Sequence, residues 1–321
     1  MLYFHNLPDE IILKILTYSK TKDLISCGQL SKRIRKICHD GSLWVKANLE
    51  KKIVKAELLE MILSKGCRIL NLSNSTIIGS LSSNIKSQLQ ILDLSQSGKM
   101  WPTMADNVDV LEELLFSCWS LQHLAMEGLL LTPKMVVSVC KNGKMLQKLN
   151  LNFGFANDSG YLQEIIKCCQ ELKEVDLIQL LDFVSDEDLY FLAKNMPPNV
   201  EKLDLTGLDI TDSHVKILLQ RCNKIKALCL DLTLITNHSL KNIRQYLNLT
   251  LEELELGVNK DITLTDFLQL KSMPRLKILK LYTCLNNKYK DDKKLQNLRQ
   301  YLPHLMIKID WENLPRKYNI T

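Results

Sequence analysis

The chain has 321 residues, 24% of them charged, and its 42 basic and 36 acidic side chains leave a net charge of +6. That length holds one large or two modest domains, and the charge is too small for an obligate nucleic-acid binder, whose stacking surface would also need aromatics interleaved with the basic residues. Met1–Asn6 lacks the regions of a signal peptide, and no run approaches the ~18 apolar residues of a membrane span, so an intracellular protein of nucleus and cytoplasm is expected, with neither nucleic acid nor membrane as a partner.

The first predicted elements are three short helices within residues 1–48. Pro8 suits a helix start, where its missing N–H is not needed, and Asp9 and Glu10 suit the positive end of the helix dipole. Ile11, Ile12, Ile15 and Leu16 come next as one wide apolar stripe. Thr21 is a candidate cap for a second helix carrying Leu24, Ile25 and Cys27. A third carries Leu30, Ile34 and Ile37, and Asp40-Gly41-Ser42-Leu43-Trp44 turns the chain back. So small a piece is marginal alone, which implies an apolar face reserved for a partner or, alternatively, a helical cap on the rest of the chain. Lys32, Arg33, Arg35 and Lys36 read as a solvated helix face first and as complementarity to an acidic partner second.

Residues 49–66 read as a linker helix, with Leu58, Leu59, Ile62 and Leu63 as its apolar stripe and Gly66 placed to end it.

From residue 67 to 310 the chain repeats itself in the frame apolar-x-x-apolar-x-apolar. Clear copies are Leu89-Gln-Ile-Leu92-Asp-Leu94, Leu146-Gln-Lys-Leu149-Asn-Leu151, Val200-Glu-Lys-Leu203-Asp-Leu205 and Leu251-Glu-Glu-Leu254-Glu-Leu256. The central apolar residues 124, 149, 175, 203, 228, 254 and 279 stand 25 to 28 apart, a leucine-rich-repeat period. The longer step from 92 to 124 places a loop insertion around Gly98–Met104. Between strands the period changes to that of a helix, as in Val108, Leu111, Leu114, Leu115 and Cys118, or Val215, Leu218, Leu219 and Cys222 after Thr211-Asp212-Ser213. A strand–helix unit cannot bury its apolar face alone, but stacked units share a core. The expected fold is therefore α/β: a three-helix module, then a curved solenoid of about nine to ten repeats with parallel strands on the concave side and helices on the convex side, and a short tail at 311–321. Alternation sends Leu203 and Leu205 inward and Lys202, Asp204 and Thr206 to the concave surface. Cys118, Cys169 and Cys222 recur three residues before a strand's first apolar position, which suits a small buried hydrophobe better than a ligand or a disulfide partner. Lys288–Lys294 reads as a solvated loop, and Leu298–Ile309 as a last helix and strand.

Nothing in this pattern carries catalytic chemistry. The six histidines are scattered, and no Cys-x-x-Cys, metal-ligand spacing, nucleophile motif or Gly-rich phosphate loop occurs, so neither an enzyme nor a bound metal or cofactor is expected. Asn71 and Asn74 open chance glycosylation patterns. Candidate substrate contacts on the concave face are His123, Lys148, Asp204, Glu253, Glu255, Lys280 and Tyr282. Charge changes sign there from Glu252, Glu253 and Glu255 to Lys277 and Lys280, a step across which a charged peptide could be read, although solvated charges are the simpler reading.

Leu7-Pro8-x-Glu10-Ile11, the spaced Leu24…Cys27…Leu30-Ser31-Lys32-Arg33, and Ser42-Leu43-Trp44 resemble an F-box, the module that docks on the small acidic adaptor of cullin-based SCF ubiquitin ligases. Joined to such repeats, it is similar to the F-box/leucine-rich-repeat proteins, and Glu127-Gly128-Leu129 and Leu302-Pro303-His304-Leu305 match that family's cell-cycle branch. The resemblance implies the substrate-recognition subunit of such a ligase, with no catalytic group of its own. It implies that Leu7, Pro8, Ile11, Leu16, Leu24, Cys27 and Trp44 face the adaptor, and through it a cullin. It further implies a phosphorylated cell-cycle regulator as target, and a small cyclin-dependent-kinase regulatory subunit as accessory. The continuations Leu177–Asp182 and Leu205–Asp209 lack the aromatic and basic residues the family carries there. The alternative is a repeat scaffold with no ligase role.

Overall fold

The computed structural model describes residues 4–82, 85–97, 108–156, 160–180, 184–257, 262–263, 265–282 and 292–310. The chain forms two compact units, Met1–Leu146 and Gln147–Thr321.

The first unit opens with helices α1 (Asp9–Leu16), α2 (Thr21–Cys27) and α3 (Lys32–Cys38), then a 3-10 turn at Gly41–Trp44. Strands β1 (Lys46–Asn48) and β2 (Ile53–Lys55) precede α4 (Ala56–Ser64), and β3 (Ile69–Asn71), β4 (Thr76–Ile78) and β5 (Ile91–Asp93) come after it. The unit closes with α5 (Val108–Ser117), β6 (His123–Ala125), β7 (Leu130–Leu131) and α6 (Pro133–Asn142). Its main sheet is parallel, β1 beside β3, β3 beside β5 and β5 beside β6, with Ala47, Leu70, Leu92 and Leu124 in register. All four of those side chains are buried.

The second unit alternates strand and helix: β8 (Lys148–Asn150), β9 (Phe155–Ala156), α7 (Gly160–Cys168), β10 (Glu174–Asp176), α8 (Asp186–Asn195), β11 (Lys202–Asp204), α9 (Asp212–Arg221), β12 (Ala227–Cys229) and α10 (Asn237–Leu247). It ends with β13 (Glu253–Leu256), a 3-10 helix at Asp266–Ser272, β14 (Ile278–Tyr282), α11 (Asp292–Tyr301) and β15 (Met306–Asp310). Strands β8, β10, β11, β12, β13, β14 and β15 lie in that order, all parallel. Leu149, Val175, Leu203, Leu228, Leu254 and Leu279 form its buried central row.

The strands are short, but their hydrogen bonding does not stop with them. In successive repeats the next apolar residue still donates to its neighbour, as Leu72 does to Asp93 O at 2.8 Å and Leu205 to Cys229 O at 3.0 Å. Three residues past each strand end the backbone turns left-handed: Lys51, Asn74, Gln96, Phe153, Gln179 and Leu232 have φ between 44° and 56°, and Gly128 and Gly207 fill the same place at 71° and 74°. The turn is prepared by the strand-ending side chain. Oδ1 of Asn48, Asn71, Asp93, Asn150 and Asp204 each accepts the N–H two residues on, at 2.8–3.1 Å, the local bond that Asn and Asp offer in turns.

Several expectations need correction. Residues 49–66 are not a bare linker helix, because β1 already pairs with β3 and β2 pairs with β4 before α4 begins. Ala47, Leu49 and Val54 face inward there, a single leucine among them, too few to display the frame. Gly66 does end α4, at φ 82°. Thr21 does not cap α2: it lies inside the helix, and its buried hydroxyl accepts from Asn48 N at 2.9 Å. Leu30 precedes α3 rather than riding on it. Thr206 is fully buried, because the turn at Asp204 folds its hydroxyl inward onto Asp204 Oδ1 at 2.6 Å. The insertion at Gly98–Met104 and residues 288–291 of the mixed-charge run lie outside the described residues, while Asp292–Lys294 opens α11 instead of a loop. Cys118, Cys169 and Cys222 are buried as small hydrophobes, and burial pushes their thiols up to about 11, about 12 and about 12.

Candidate docking face and strand face

The N-terminal module is held together by one side of α1. Ile12 and Leu16 are buried, as are Leu24, Ile34, Ile37, Leu43 and Trp44. Trp44 also donates its Nε1–H to Cys38 O at 2.6 Å, which satisfies the one polar atom of a buried indole. Leu16, Leu24 and Trp44 are thus the inside of the module and not an open contact face, contrary to the expectation for them. The single apolar stripe of the sequence divides into two. Ile11, Ile15 and Tyr18, at i, i+4 and i+7, turn outward with exposures of 46%, 43% and 84%. Pro8 and Leu30 are exposed beside them in the sequence of the module, and Leu7 and Cys27 are half-buried. The F-box resemblance does not single out Ile15 and Tyr18 as contact residues, although the same helical period that marks Ile11 marks them.

The start of α1 is fixed from α3. Arg33 donates through Nε to Asp9 Oδ1 at 2.8 Å and through Nη2 to Leu7 O at 2.6 Å. Arg35 donates to Gly28 O at 2.9 Å. Half of the basic cluster therefore does internal work, and Lys32 and Lys36 remain exposed.

On the strand face the candidate contact residues divide by unit. His123 sits half-buried on β6 in the first. In the second, the charges pair across strands. Glu174 on β10 takes Lys148 of β8 at 2.9 Å and Lys202 of β11 at 3.4 Å. Glu201 takes Lys226 at 2.7 Å, and Glu252 takes Lys277 at 2.6 Å. Lys280 on β14 is clasped by Glu253 and, at 3.2 Å, by Glu255 of β13. The sign change between β13 and β14 is therefore closed on itself. Burial pulls the Glu174 carboxyl up, but Lys148 and Lys202 outweigh it and leave the pKa lowered. Burial pulls the Lys280 ammonium down, and its two carboxylates carry it well above the ordinary lysine value. Asp204 is occupied by its own turn. Tyr282 ends β14, and its side chain lies outside the described residues.

No sequence signal points to Asp231, in the turn after β12. It is 1% exposed, and its Oδ1 has no hydrogen-bond partner among the described residues. Burial, reinforced by Glu255 and more weakly by Asp204, pushes its carboxyl up to about 7, against the Leu232 N–H that favours the charged form.

Among the described residues no group of three His, Cys, Asp or Glu side chains is arranged to hold a metal ion, and no helix is long and apolar enough to cross a membrane. A helical module with an outward apolar stripe, joined to strand–helix repeats, is the build of an F-box/leucine-rich-repeat protein. Comparison with protein families agrees: the F-box-like model matches residues 4–50, and the model for the SKP2 LRR domain matches residues 57–312. The chain belongs to that SKP2-type family of F-box proteins, the substrate receptors of SCF ubiquitin ligases.

Proposed function

We propose that this chain is a non-catalytic substrate-recognition subunit of an SCF ligase, working in nucleus and cytoplasm. On this reading Pro8, Ile11, Ile15, Tyr18 and Leu30 meet the acidic adaptor, and the adaptor meets the cullin. The repeats hold a cell-cycle regulator for ubiquitination and proteasomal degradation. The observation that carries the reading is the stripe Ile11–Ile15–Tyr18, apolar and open on a module whose Ile12, Leu16, Leu24, Ile34, Ile37, Leu43 and Trp44 are buried. Nothing in the module's own core needs that stripe, and exposed apolar patches of this kind mark interaction sites. A ligase receptor acts by positioning, raising the local concentration of a substrate lysine at the conjugating enzyme, so two binding surfaces suffice. Lys148, Lys202, Lys226, Lys277 and Lys280 are each engaged by a glutamate, which favours reading of a substrate phosphate by an accessory kinase-regulatory subunit.

The test is co-purification with the SCF adaptor, wild type beside the Ile11→Asp/Tyr18→Asp double variant, by size-exclusion chromatography. A stoichiometric complex lost in the variant, with unchanged melting, is expected. No complex with the wild type would leave a repeat scaffold without a ligase role.

A further inference from the structure

In the first unit, α5 and α6 pack side by side, and a groove of about 1070 Å³ opens along them. Its most exposed large apolar side chains are Phe116 and Trp119, each 60% exposed, and Val137 at 59%, and Leu81 and Ile85 line it as well. These residues break the pattern of the repeats. Two residues before the buried cysteine that ends each helix, Cys169 is preceded by Lys167 and Cys222 by Gln220, but Cys118 by Phe116. One residue after it stand Gln170, Asn223 and Trp119 in turn. Elsewhere the solvent side of these helices is polar; here it carries two aromatic rings that pack on nothing in the core. Their orientation is nevertheless held, because the Lys141 ammonium lies 3.3 Å from the Trp119 ring centre and 4.0 Å from that of Phe116, and donates to Phe116 O at 2.8 Å. Such cation–π contacts fix ring position at an exposed site, which lowers the entropy a partner must remove on binding.

The other end of the groove is acidic. Asp109 and Glu113 are exposed on α5, about two turns and one turn before Phe116 respectively. The groove's two bases are Lys86 and Lys134, the latter held by Glu112 at 3.1 Å, against the carboxylates of Asp109, Glu112 and Glu113, the last of which accepts from Leu81 N at 2.8 Å. The walls formed by α5 and α6 have satisfied helical backbones, and on the side lined by Leu81, Ser82, Ile85 and Lys86 the N–H groups of Leu81 and Ser82 are already bonded to Glu113 and Glu60, so an extended peptide would find no ladder to join and would leave its own N–H and C=O groups unpaired. A helix brings its own hydrogen bonds and needs only a side-chain stripe.

We propose that this groove is a docking site for an amphipathic helix of a partner protein, its apolar stripe on Phe116, Trp119 and Val137 and a basic residue on Asp109 and Glu113. Asp109 and Phe116 are seven residues apart, about 10 Å along a helix axis. The partner's basic residue and apolar anchor are therefore separated by about two turns.

A phage-displayed library of helical peptides panned on the full chain tests this, with enriched peptides measured by fluorescence anisotropy. Expected winners carry an apolar i, i+4 stripe and Lys or Arg about two turns away, and their Kd rises about tenfold or more on Val137→Asp. The exposed position should leave melting unchanged; if it does not, Trp119→Ser is read in its place. Asp109→Lys should weaken the same peptides, and added salt should erase the difference. Absence of enrichment, peptides that bind both variants equally, or winners without a basic residue would overturn the proposal. A concentration-dependent dimer of the wild type, abolished by Val137→Asp, would overturn it in favour of a second copy of this chain.

Discussion

Asp231 lies against the α-carbon of Gly257 so closely that a β-carbon built on residue 257 would stand 1.2 Å from Oδ1. Only glycine can come after β13 here while a buried carboxyl occupies the turn after β12. Gly257→Ala should force the aspartate or the turn aside and destabilise the protein by about 1–3 kcal/mol, the usual range for overpacking. Because the two positions share one space, Asp231→Ala should relieve most of that loss, which a double-mutant cycle of thermal melts would read. Additive losses would show that the two do not meet.

The same carboxyl predicts a pH dependence. Its pKa in the fold, about 7, lies above its ordinary 3.8, so folding favours the protonated form. The associated stability is complete below about pH 4 and falls as pH rises towards 7, beyond which the slope flattens. Glu174, Asp188 and Asp212, whose pKa values are lowered, act oppositely and lose stability as pH falls. The quantity to measure is therefore the difference in melting temperature between wild type and Asp231→Asn. The variant should gain on the wild type steadily from pH 4 to 7.5; a difference constant across that range would mean that Asp231 is ionised throughout.

Lys280 stands between Glu253 and Glu255 with a quarter of its side chain exposed. Lys280→Met removes the cation and leaves two carboxylates facing each other near Asp231. Since the cluster is partly solvated, a loss of about 1–2 kcal/mol is expected, less than for a buried pair. Glu255→Gln in the same chain should restore part of it in denaturant titrations, whereas an unrelated surface change should not.

The leucine frame makes the repeats legible, because its apolar period reports the core directly: Leu203, Leu228 and Leu254 are where the alternation puts them. What the frame hides is what the apolar period does not encode. The left-handed residue three past the strand can be Lys, Asn, Gln, Phe, Leu or Gly, so composition does not mark it; where the strand ends in Asn or Asp the Asx turn before it does, and Asp204, a candidate binding residue by its position in the frame, is the signature of that turn. Strict alternation puts Thr206 outside only if it is carried past the point where the pleat ends. In the helical module, Ile11 and Ile12 are adjacent in sequence yet belong to opposite faces, and only the position of Trp44 decides which face is closed. The ion pairs from Lys148 to Lys280 are invisible for a different reason, being contacts between residues about 25 positions apart that the repeat period alone brings together.

Cys168 and Cys169 are neighbours with opposite surroundings. Cys169 is buried and its thiol is pushed up to about 12 by burial first and by Cys168 second, while Cys168 is exposed. Alkylation needs the thiolate and access to it. Iodoacetamide at pH 8 should therefore label Cys168 quickly and leave Cys118, Cys169 and Cys222 unlabelled until denaturant is added, as peptide mapping would show. Equal labelling of 168 and 169 in the folded protein would mean that α7 frays at its end.

The two faces of α1 call for different mutational outcomes. Trp44 is 2% exposed and hydrogen-bonded to Cys38 O, and removing it would leave a cavity in the module's interior together with an orphaned carbonyl. Trp44→Ala should destabilise the module by about 3–5 kcal/mol and weaken adaptor binding only by unfolding the helices that present the stripe. Tyr18 is 84% exposed, so Tyr18→Ala should leave melting within about 0.5 kcal/mol and act on binding alone. Hydrogen exchange of residues 9–38 separates the cases: protection should collapse in the tryptophan variant and persist in the tyrosine variant. A module that stays protected without Trp44 would place its core elsewhere and return that residue to the contact surface.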